Sequence, residues 1–348
     1  MRRIRSALLK NVLLLVAVVG FGLVLWGARE QLGDTWELLS QVSFVAVLLL
    51  PLTQMLSYFF LSQYYRAMIQ NFGGHISHWR AFGTTTALNF VNQILPSGGA
   101  SGITYIIYAF KDSASGGQIT LIQLGRYVLA FLTYVPLLIA ALIWLMASGD
   151  FTGQIRSIFI TLMLISLPGS AMLVLAISKQ KLVDSAVAVV LRFINRVVAV
   201  FTRGRAKPIT VSPKSGFLKE FHDGVTFLRS QGHKVIKPYL FMQLSTLAEV
   251  GIVVIAFWVL GVTINPGILL LAFTAANVVG VVSIIPGDVG VHELTVITVL
   301  SYVGVDQSTA IAGTLLYRVF NKIVIMGVGF TFYVRFLKPL VDNAKHGS

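Results

Sequence analysis

The sequence predicts an all-α polytopic membrane protein, and its composition is the first reason. Hydrophobic residues make up 56% of the 348 residues and charged residues only 11%, whereas a soluble domain carries about a quarter charged residues. The mean hydropathy is +0.81. The second reason is a set of apolar runs of about 20 residues, the length that crosses a bilayer. These runs predict six full spans, at residues 8–28, 43–65, 119–147, 156–178, 237–260 and 308–334.

Two further apolar regions are each interrupted by a cluster of proline and glycine. Residues 80–110 are cut at 96–102, and residues 268–303 are cut at 286–290. An intact span is hard to fit on either side of each cut, so each region is predicted to be a re-entrant pair. In such a pair a helix enters the membrane, breaks, and a second helix returns to the same side. Irregular backbone at membrane depth requires protein or a water-filled cavity to satisfy its polar groups.

The distribution of basic residues orients the chain, because Lys and Arg next to spans favour the cytoplasmic side. Four basic residues lie among the first ten residues, and residues 179–237 contain twelve. We therefore expect both termini and this basic stretch to be cytoplasmic. The apolar run at 8–28 is too long for the core of a signal peptide, so it is predicted to be an uncleaved span. The net charge of +14 then reflects orientation, and nucleic-acid binding is not predicted.

The two halves of the chain share one order of elements, which predicts an inverted repeat within a single membrane domain. Each half reads span, span, re-entrant pair, span, in opposite orientations. Residues 1–147 form the first predicted repeat and residues 156–334 the second. A local match supports the pairing: Asn89 and Pro96 precede Arg126 in the first half. The same types recur in the second half, at Asn277, Pro286 and Arg318.

The basic segment 179–236 is predicted to contain amphipathic helices at 182–201 and 217–230. In the second of these, Phe217, Phe221, Val225 and Leu228 share one stripe. Two interpretations stay open. The helices lie on the cytoplasmic surface and bind anionic lipid, or they cover the ends of the helix bundle.

Ionisable residues inside spans are costly, by about 2.5–3.5 kcal/mol on insertion scales, and are candidates for function. Arg126 and Arg318 are the candidate anion-binding residues, because a guanidinium holds a phosphate through two parallel hydrogen bonds. The alternative is that they form internal ion pairs, such as Arg318 with Glu293 or Glu249. Candidates for charge or proton coupling are Glu249, Asp288, His292 and Lys322.

The two breaks are the second part of the predicted site. Helix N-termini that follow them would present unpaired backbone N–H groups and positive dipole ends to an anion. Glycine would let a headgroup approach the backbone closely. The remaining candidate substrate-binding residues are Ser97, Gly98, Gly99, Ser101, Pro286, Gly287, Gly290, Glu293 and Tyr317.

Several kinds of site are not predicted. The chain has no cysteine, so it has neither disulfides nor thiolate metal ligands. His75 and His78 could bind a metal only with further ligands, and no such residues follow at a spacing typical of a metal site. No nucleophile elbow, P-loop or HExxH motif is present. We therefore predict no metal, no cofactor and no enzymatic activity.

The segment 284–330 carries a recognisable pattern: Pro286-Gly287, Gly290, Glu293 opening the next helix, and a late Leu-Tyr-Arg ending at Arg318. This pattern resembles the lysylphosphatidylglycerol synthase transmembrane region family, which includes the flippase half of the multiple peptide resistance factor. The resemblance covers nearly the whole chain and implies a translocating membrane region without a synthase domain. One departure stands out. Many family members have Gly-Glu and then Arg after the first break, whereas this chain has Ser101-Gly102-Ile103 and no charge before Lys111.

With the resemblance, the sequence favours a lipid translocase of a prokaryotic plasma membrane. It would move a phospholipid or polyprenyl-linked lipid, with an anionic or phosphate-bearing headgroup, between the two leaflets. One alternative is a non-transporting membrane subunit that anchors or regulates a lipid-modifying enzyme or glycosyltransferase. Another is a small-solute secondary transporter.

Overall fold

The computed structural model describes residues 44–94, 100–178, 216–282, 288 and 290–337, and within these ranges the chain is helical with no strand. Ten α-helices longer than one turn are described there. They are α1 (Phe44–Asn71), α2 (His78–Ile94), α3 (Ala100–Phe110), α4 (Gly116–Ser148), α5 (Gly153–Ser178), α6 (Gly216–Ser230), α7 (Ile236–Val259), α8 (Pro266–Val282), α9 (Val291–Tyr302) and α10 (Gln307–Val324). A 3₁₀ turn at Gly232–Val235 leads into α7.

Four continuous helical segments are long and apolar enough to cross a membrane. They are Gly116–Ser148, Gly153–Ala171, Gly232–Val259 and Gln307–Arg335. They correspond to the spans predicted at 119–147, 156–178, 237–260 and 308–334. The predicted span at 8–28 lies outside the described residues. The last segment contains π-helical turns at Ile325–Gly329 and Tyr333–Leu337, which the sequence pattern did not predict.

Helix α1, predicted as a span at 43–65, has an unusual distribution of polar residues. It is 28 residues long, which is about 42 Å at 1.5 Å per residue, yet it is not among the four apolar segments. Its exposed residues include the apolar Leu52, Leu56 and Phe59, while its buried face carries apolar and polar side chains together. The fully or largely buried polar residues are Gln54, Ser57, Ser62 and Gln63. Several polar side chains of this helix therefore point into the interior of the bundle.

Both interrupted regions have a helix on each side of the break. Helices α2 and α3 flank 95–99, and α8 and α9 flank the break before Gly290. These helices have 17, 11, 17 and 12 residues, so each is roughly 17–26 Å long and shorter than a bilayer core of about 30 Å. Within each pair the two helices pack against each other.

The first pair opens toward one end of the bundle. There Arg80, at the start of α2, forms an ion pair of 3.0 Å with Asp112, just after α3. Asn71, at the end of α1, donates to the carbonyl of Lys234 before α7 at 2.8 Å. We call this the Arg80 end of the bundle.

The second pair opens toward the opposite end of the bundle. Helix α4 begins near the Arg80 end and runs to this second end. Asn265, directly before α8, donates to Ser148 at the end of α4 (2.7 Å) and to Asp150 (2.5 Å). Val303, just after α9, packs in one apolar cluster with Leu145. We call this the Asn265 end.

Helix α6 covers the Arg80 end. Val225 is buried, and Phe227 contacts Phe72, the residue directly after α1, with ring centroids 5.6 Å apart. Glu220 accepts a hydrogen bond from the backbone N–H of Gly117 in the first turn of α4 (3.3 Å). For 217–230 the structure therefore favours the interpretation in which the amphipathic helix covers the bundle. The predicted helix at 182–201 lies outside the described residues.

Candidate functional site

Arg126 projects from α4 into a group of neutral side chains. Its Nη1 donates to the hydroxyl of Tyr65 on α1 (3.2 Å), and its Nη2 lies 3.5 Å from Oδ1 of Asn89 on α2. The Tyr65 hydroxyl donates in turn to Gln123 on α4 (2.6 Å). The polar face of α1 and the middle of α2 thus surround the first predicted arginine with oxygen acceptors.

Arg318 on α10 has a carboxylate partner. Its Nε donates to Oε1 of Glu293 at 2.5 Å, and the two side chains are only 12% and 7% exposed. The other carboxylate oxygen of Glu293 accepts from the backbone N–H of Gly290 at 2.7 Å. Gly290 has φ 86°, which only glycine adopts without strain. Glu293 therefore fixes both the start of α9 and the position of Arg318, and the internal ion pair that the sequence left open is present.

Helix α10 also reaches the first half of the chain. Lys322, one turn after Arg318, donates to Oε1 of Gln93 at 2.6 Å. Gln93 lies near the C-terminal end of α2, shortly before the first break. Asn321 donates to Gln54 of α1, also at 2.6 Å. Lys322 therefore connects α10 to the first interrupted pair, and Asn321 connects it to α1.

Glu249 lies in the middle of α7, next to α1. Ser57 donates to its carboxylate at 3.3 Å, and the Ser57 and Ser245 hydroxyls are 3.1 Å apart. Ser245 also donates to the carbonyl of Ser57 at 3.0 Å. Helices α1 and α7 therefore meet through a small polar contact at their centre, with one carboxylate beside it.

Asp288 and His292 lie at the second break. Asp288 has φ 53°, and its carboxylate lies against Gly280 on α8. His292 and Tyr317 are buried, with ring centroids 6.0 Å apart. Neither the His292 Nε2 nor the Tyr317 hydroxyl has a hydrogen-bond partner within the described part of the chain.

The ionisable candidates form one group in the interior. Tyr58, buried on α1, is within electrostatic range of Glu249, Arg126 and Arg318. Asp288 is within range of Arg318, Lys322 and Glu293. Arg126 and Arg318 therefore both lie within electrostatic range of the same buried tyrosine.

Several predicted residues lie in or beside the breaks, beyond what the structure describes. Ser97, Gly98 and Gly99 fall outside the described residues, as do Pro286 and Gly287. Ser101 belongs to the first turn of α3, and only its backbone is described. Among the described residues no group of three or more His, Asp or Glu side chains is arranged to hold a metal.

Sequence reasoning missed the neutral half of the site. Tyr65 accepts from Arg126 and Gln93 accepts from Lys322, while Gln123 accepts from Tyr65, and none of the three carries a charge. A signal was available, because glutamine and serine recur through the apolar run that became α1. Polar side chains inside a predicted span indicate a face that turns away from lipid.

Comparison with protein families identifies the family to which the chain belongs. The model of the family described as "Lysylphosphatidylglycerol synthase TM region" matches residues 12–329. The chain belongs to this family. It is a multi-pass membrane protein related to lipid handling, and the resemblance noted in segment 284–330 is confirmed. Searches of curated proteins and of solved structures gave no match.

Proposed function

We propose that this member of the lysylphosphatidylglycerol synthase TM region family is a lipid translocase. The observation that carries the proposal is that the two interrupted helix pairs open toward opposite ends of the bundle. Between them lies a buried group of ionisable side chains. A path for a polar headgroup needs access from both leaflets and a polar centre, and this arrangement supplies both.

An inverted repeat supports the proposal through the register of the helices. Adding 188 to the bounds of α2 (78–94) gives those of α8 (266–282). Adding 188 to the bounds of α1 (44–71) gives 232–259, which is the 3₁₀ turn together with α7. Ser57 and Ser245, also 188 apart, touch each other. A contact between equivalent residues is expected at a pseudo-two-fold axis, so it supports an inverted repeat, and such repeats allow one half to rock against the other.

In the proposed mechanism the headgroup crosses between the two breaks while the acyl chains stay in lipid. Arg126 and Arg318 supply positive charge at the centre. The first turns of α3 and α9 add backbone N–H groups as donors to the headgroup. The small serine and glycine residues of the breaks let the headgroup approach these N–H groups closely. Glu249, Asp288, His292 and Lys322 are the candidates for carrying protons or compensating charge during the movement. We propose the prokaryotic plasma membrane as the location.

The direct test uses the full chain reconstituted in phosphatidylcholine vesicles that contain tail-labelled fluorescent phosphatidylglycerol. Dithionite bleaches only the outer leaflet, so translocation appears as continued loss of fluorescence beyond that fraction. We expect this loss with the protein and with the Arg80→Gln control, and not in protein-free vesicles. Bleaching confined to the outer leaflet, for both phosphatidylglycerol and a labelled polyprenyl phosphate, would overturn the proposal.

A further inference from the structure

The arginines of the two halves have different partners, although each occupies a similar place in its helix. Arg126 follows the start of α4 at Gly116 by ten residues, and Arg318 follows the start of α10 at Gln307 by eleven. We infer that Arg126 is the residue that binds the phosphate of the translocated headgroup, whereas Arg318 is part of the scaffold. This division of roles rests on the proposed function and refines it.

The charge of Arg318 is compensated within the protein. Its Nε is 2.5 Å from Glu293, whose second oxygen is engaged by the Gly290 N–H. An incoming phosphate would have to displace a carboxylate that also holds the start of α9. Breaking a buried pair leaves an uncompensated charge and is strongly unfavourable. Arg318 therefore suits a fixed role beside the second break.

Arg126 has only neutral acceptors. It donates to the Tyr65 hydroxyl (3.2 Å) and, at the limit of a hydrogen bond, to Asn89 (3.5 Å). Because Tyr65 donates its own proton to Gln123, its oxygen is placed to accept from the guanidinium. Glu249 acts on Arg126 electrostatically, and its carboxylate accepts a hydrogen bond from Ser57. Within the described residues no carboxylate lies at ion-pair distance from Arg126.

A guanidinium in this position is suited to bind an anion. It has five N–H donors and stays charged in proteins, while a buried charge is costly unless it is paired. Phosphate fits it through two parallel charge-assisted hydrogen bonds. Tyr65 and Asn89 hold one edge of the guanidinium, so the side chain is positioned before the anion arrives and loses less entropy on binding.

The sequence explains why the two halves differ. Glu293 is the third residue of α9, and the third residue of α3 is Gly102. The first half therefore lacks a carboxylate where the second half has one, which is also where this chain departs from the pattern of many family members. By analogy with Glu293 and Arg318, we expect a carboxylate placed at position 102 to act as a counter-ion for Arg126.

The experiment measures binding separately from transport. The full-length protein in detergent is titrated with dioctanoyl phosphatidylglycerol, and in a parallel arm with inorganic phosphate. We expect saturable binding of the lipid. Replacing Arg126 by Gln lowers lipid affinity about tenfold or more, the loss expected for a charged hydrogen-bond pair. Tyr65→Phe keeps the charge of Arg126 and should lower the lipid affinity less. Arg80→Gln removes an exposed ion pair and should leave the lipid affinity within about twofold of the wild-type value.

Gly102→Glu is the decisive variant, because Arg126 remains in place. We expect it to weaken lipid binding as much as Arg126→Gln does, while the double variant Gly102→Glu with Arg126→Gln is no weaker than either alone. Equal affinity of wild type and Arg126→Gln, in protein of unchanged thermal stability, would overturn the inference. So would saturable binding of inorganic phosphate with none of the lipid. Lipid binding that depends on Arg126, without translocation in vesicles, would contradict the proposed function instead.

Discussion

The two interrupted helix pairs have the same topology but different electrostatics. Around the second break, Glu293, Asp288, Arg318 and Lys322 interact with one another. Around the first, Arg126 has a phenol and an amide as its hydrogen-bond partners. The difference suggests a division of labour in which charge compensation fixes the second half and leaves the first half receptive to an anion. The following predictions test that comparison.

The largest effect is expected from breaking the Glu293–Arg318 pair. Arg318→Gln leaves a buried carboxylate without its cation, and we expect it to destabilise the protein by about 3 kcal/mol. Arg126→Gln leaves no such carboxylate and should cost less. Unfolding of detergent-solubilised protein in increasing SDS measures both values.

A double variant separates the pair from the individual side chains. Glu293→Gln combined with Arg318→Gln keeps hydrogen-bonding groups but removes both charges, so it should recover much of the loss. If the double variant is as unstable as the sum of the two single variants, the pair does not hold the second break together.

A second difference between the halves lies in how closely a neighbouring helix approaches α4 and α10. A Cβ at Gly313 on α10 would overlap the ring of Phe257, which is buried on α7. A Cβ at Gly125 on α4 would lie 3.4 Å from the Tyr64 hydroxyl. We expect Gly313→Ala to cost about 1–3 kcal/mol because the core cannot easily make room. Gly125→Ala should cost little, and SDS unfolding of the two variants compares them directly.

Much of this fold was accessible from the sequence because lipid imposes simple rules on it. Apolar runs of the right length placed the four helical segments that can cross a membrane. Proline and glycine clusters placed the two interruptions, since a broken backbone cannot face lipid. The unusual cost of charge in a bilayer identified Arg126, Glu249 and Arg318 before any contact was known.

The contacts within the candidate site could not be predicted from the sequence, because they depend on tertiary packing. Whether Arg318 pairs with Glu293 or with Glu249 cannot be read from spacing, because all three residues lie on different helices. The neutral residues Tyr65 and Gln93 acquire a role only from what they face. The average hydropathy of α1 does not show which of its side chains point inward, and several of the buried ones are polar.

A third comparison concerns the two contacts by which α10 holds the first half. Lys322 donates a charged hydrogen bond to Gln93, and Asn321 donates a neutral one to Gln54, both at 2.6 Å. Hydrogen bonds to charged groups contribute about 1.5–3 kcal/mol and neutral ones about 1 kcal/mol. We therefore expect Gln93→Leu to lower the free energy of unfolding by more than Gln54→Leu. The reverse order would show that the lysine is held mainly by other groups.

The smallest effects are expected at the helix caps of the two halves. Ser115 caps α4 by accepting from the Gln118 N–H (3.3 Å), and Asp306 caps α10 by accepting from the Thr309 N–H (3.1 Å). Replacing either by Ala should cost about 1 kcal/mol, less for Asp306 because it is exposed and screened. The two caps differ in their dependence on pH.

Hydrogen bonds from the Ser308 hydroxyl and from the Thr309 N–H lower the pKa of Asp306 below its usual 3.8. A lowered pKa in the folded state means that the carboxylate stabilises the protein above pH 3.8 and loses this contribution as the pH falls through the folded-state value. The difference in stability between wild type and Asp306→Ala should therefore shrink as the pH falls from 6 toward 3. The corresponding difference for Ser115→Ala should stay constant, since a serine hydroxyl does not titrate in this range. Thermal unfolding of the three proteins at both pH values measures this contrast, and an equal pH dependence for both caps would contradict it.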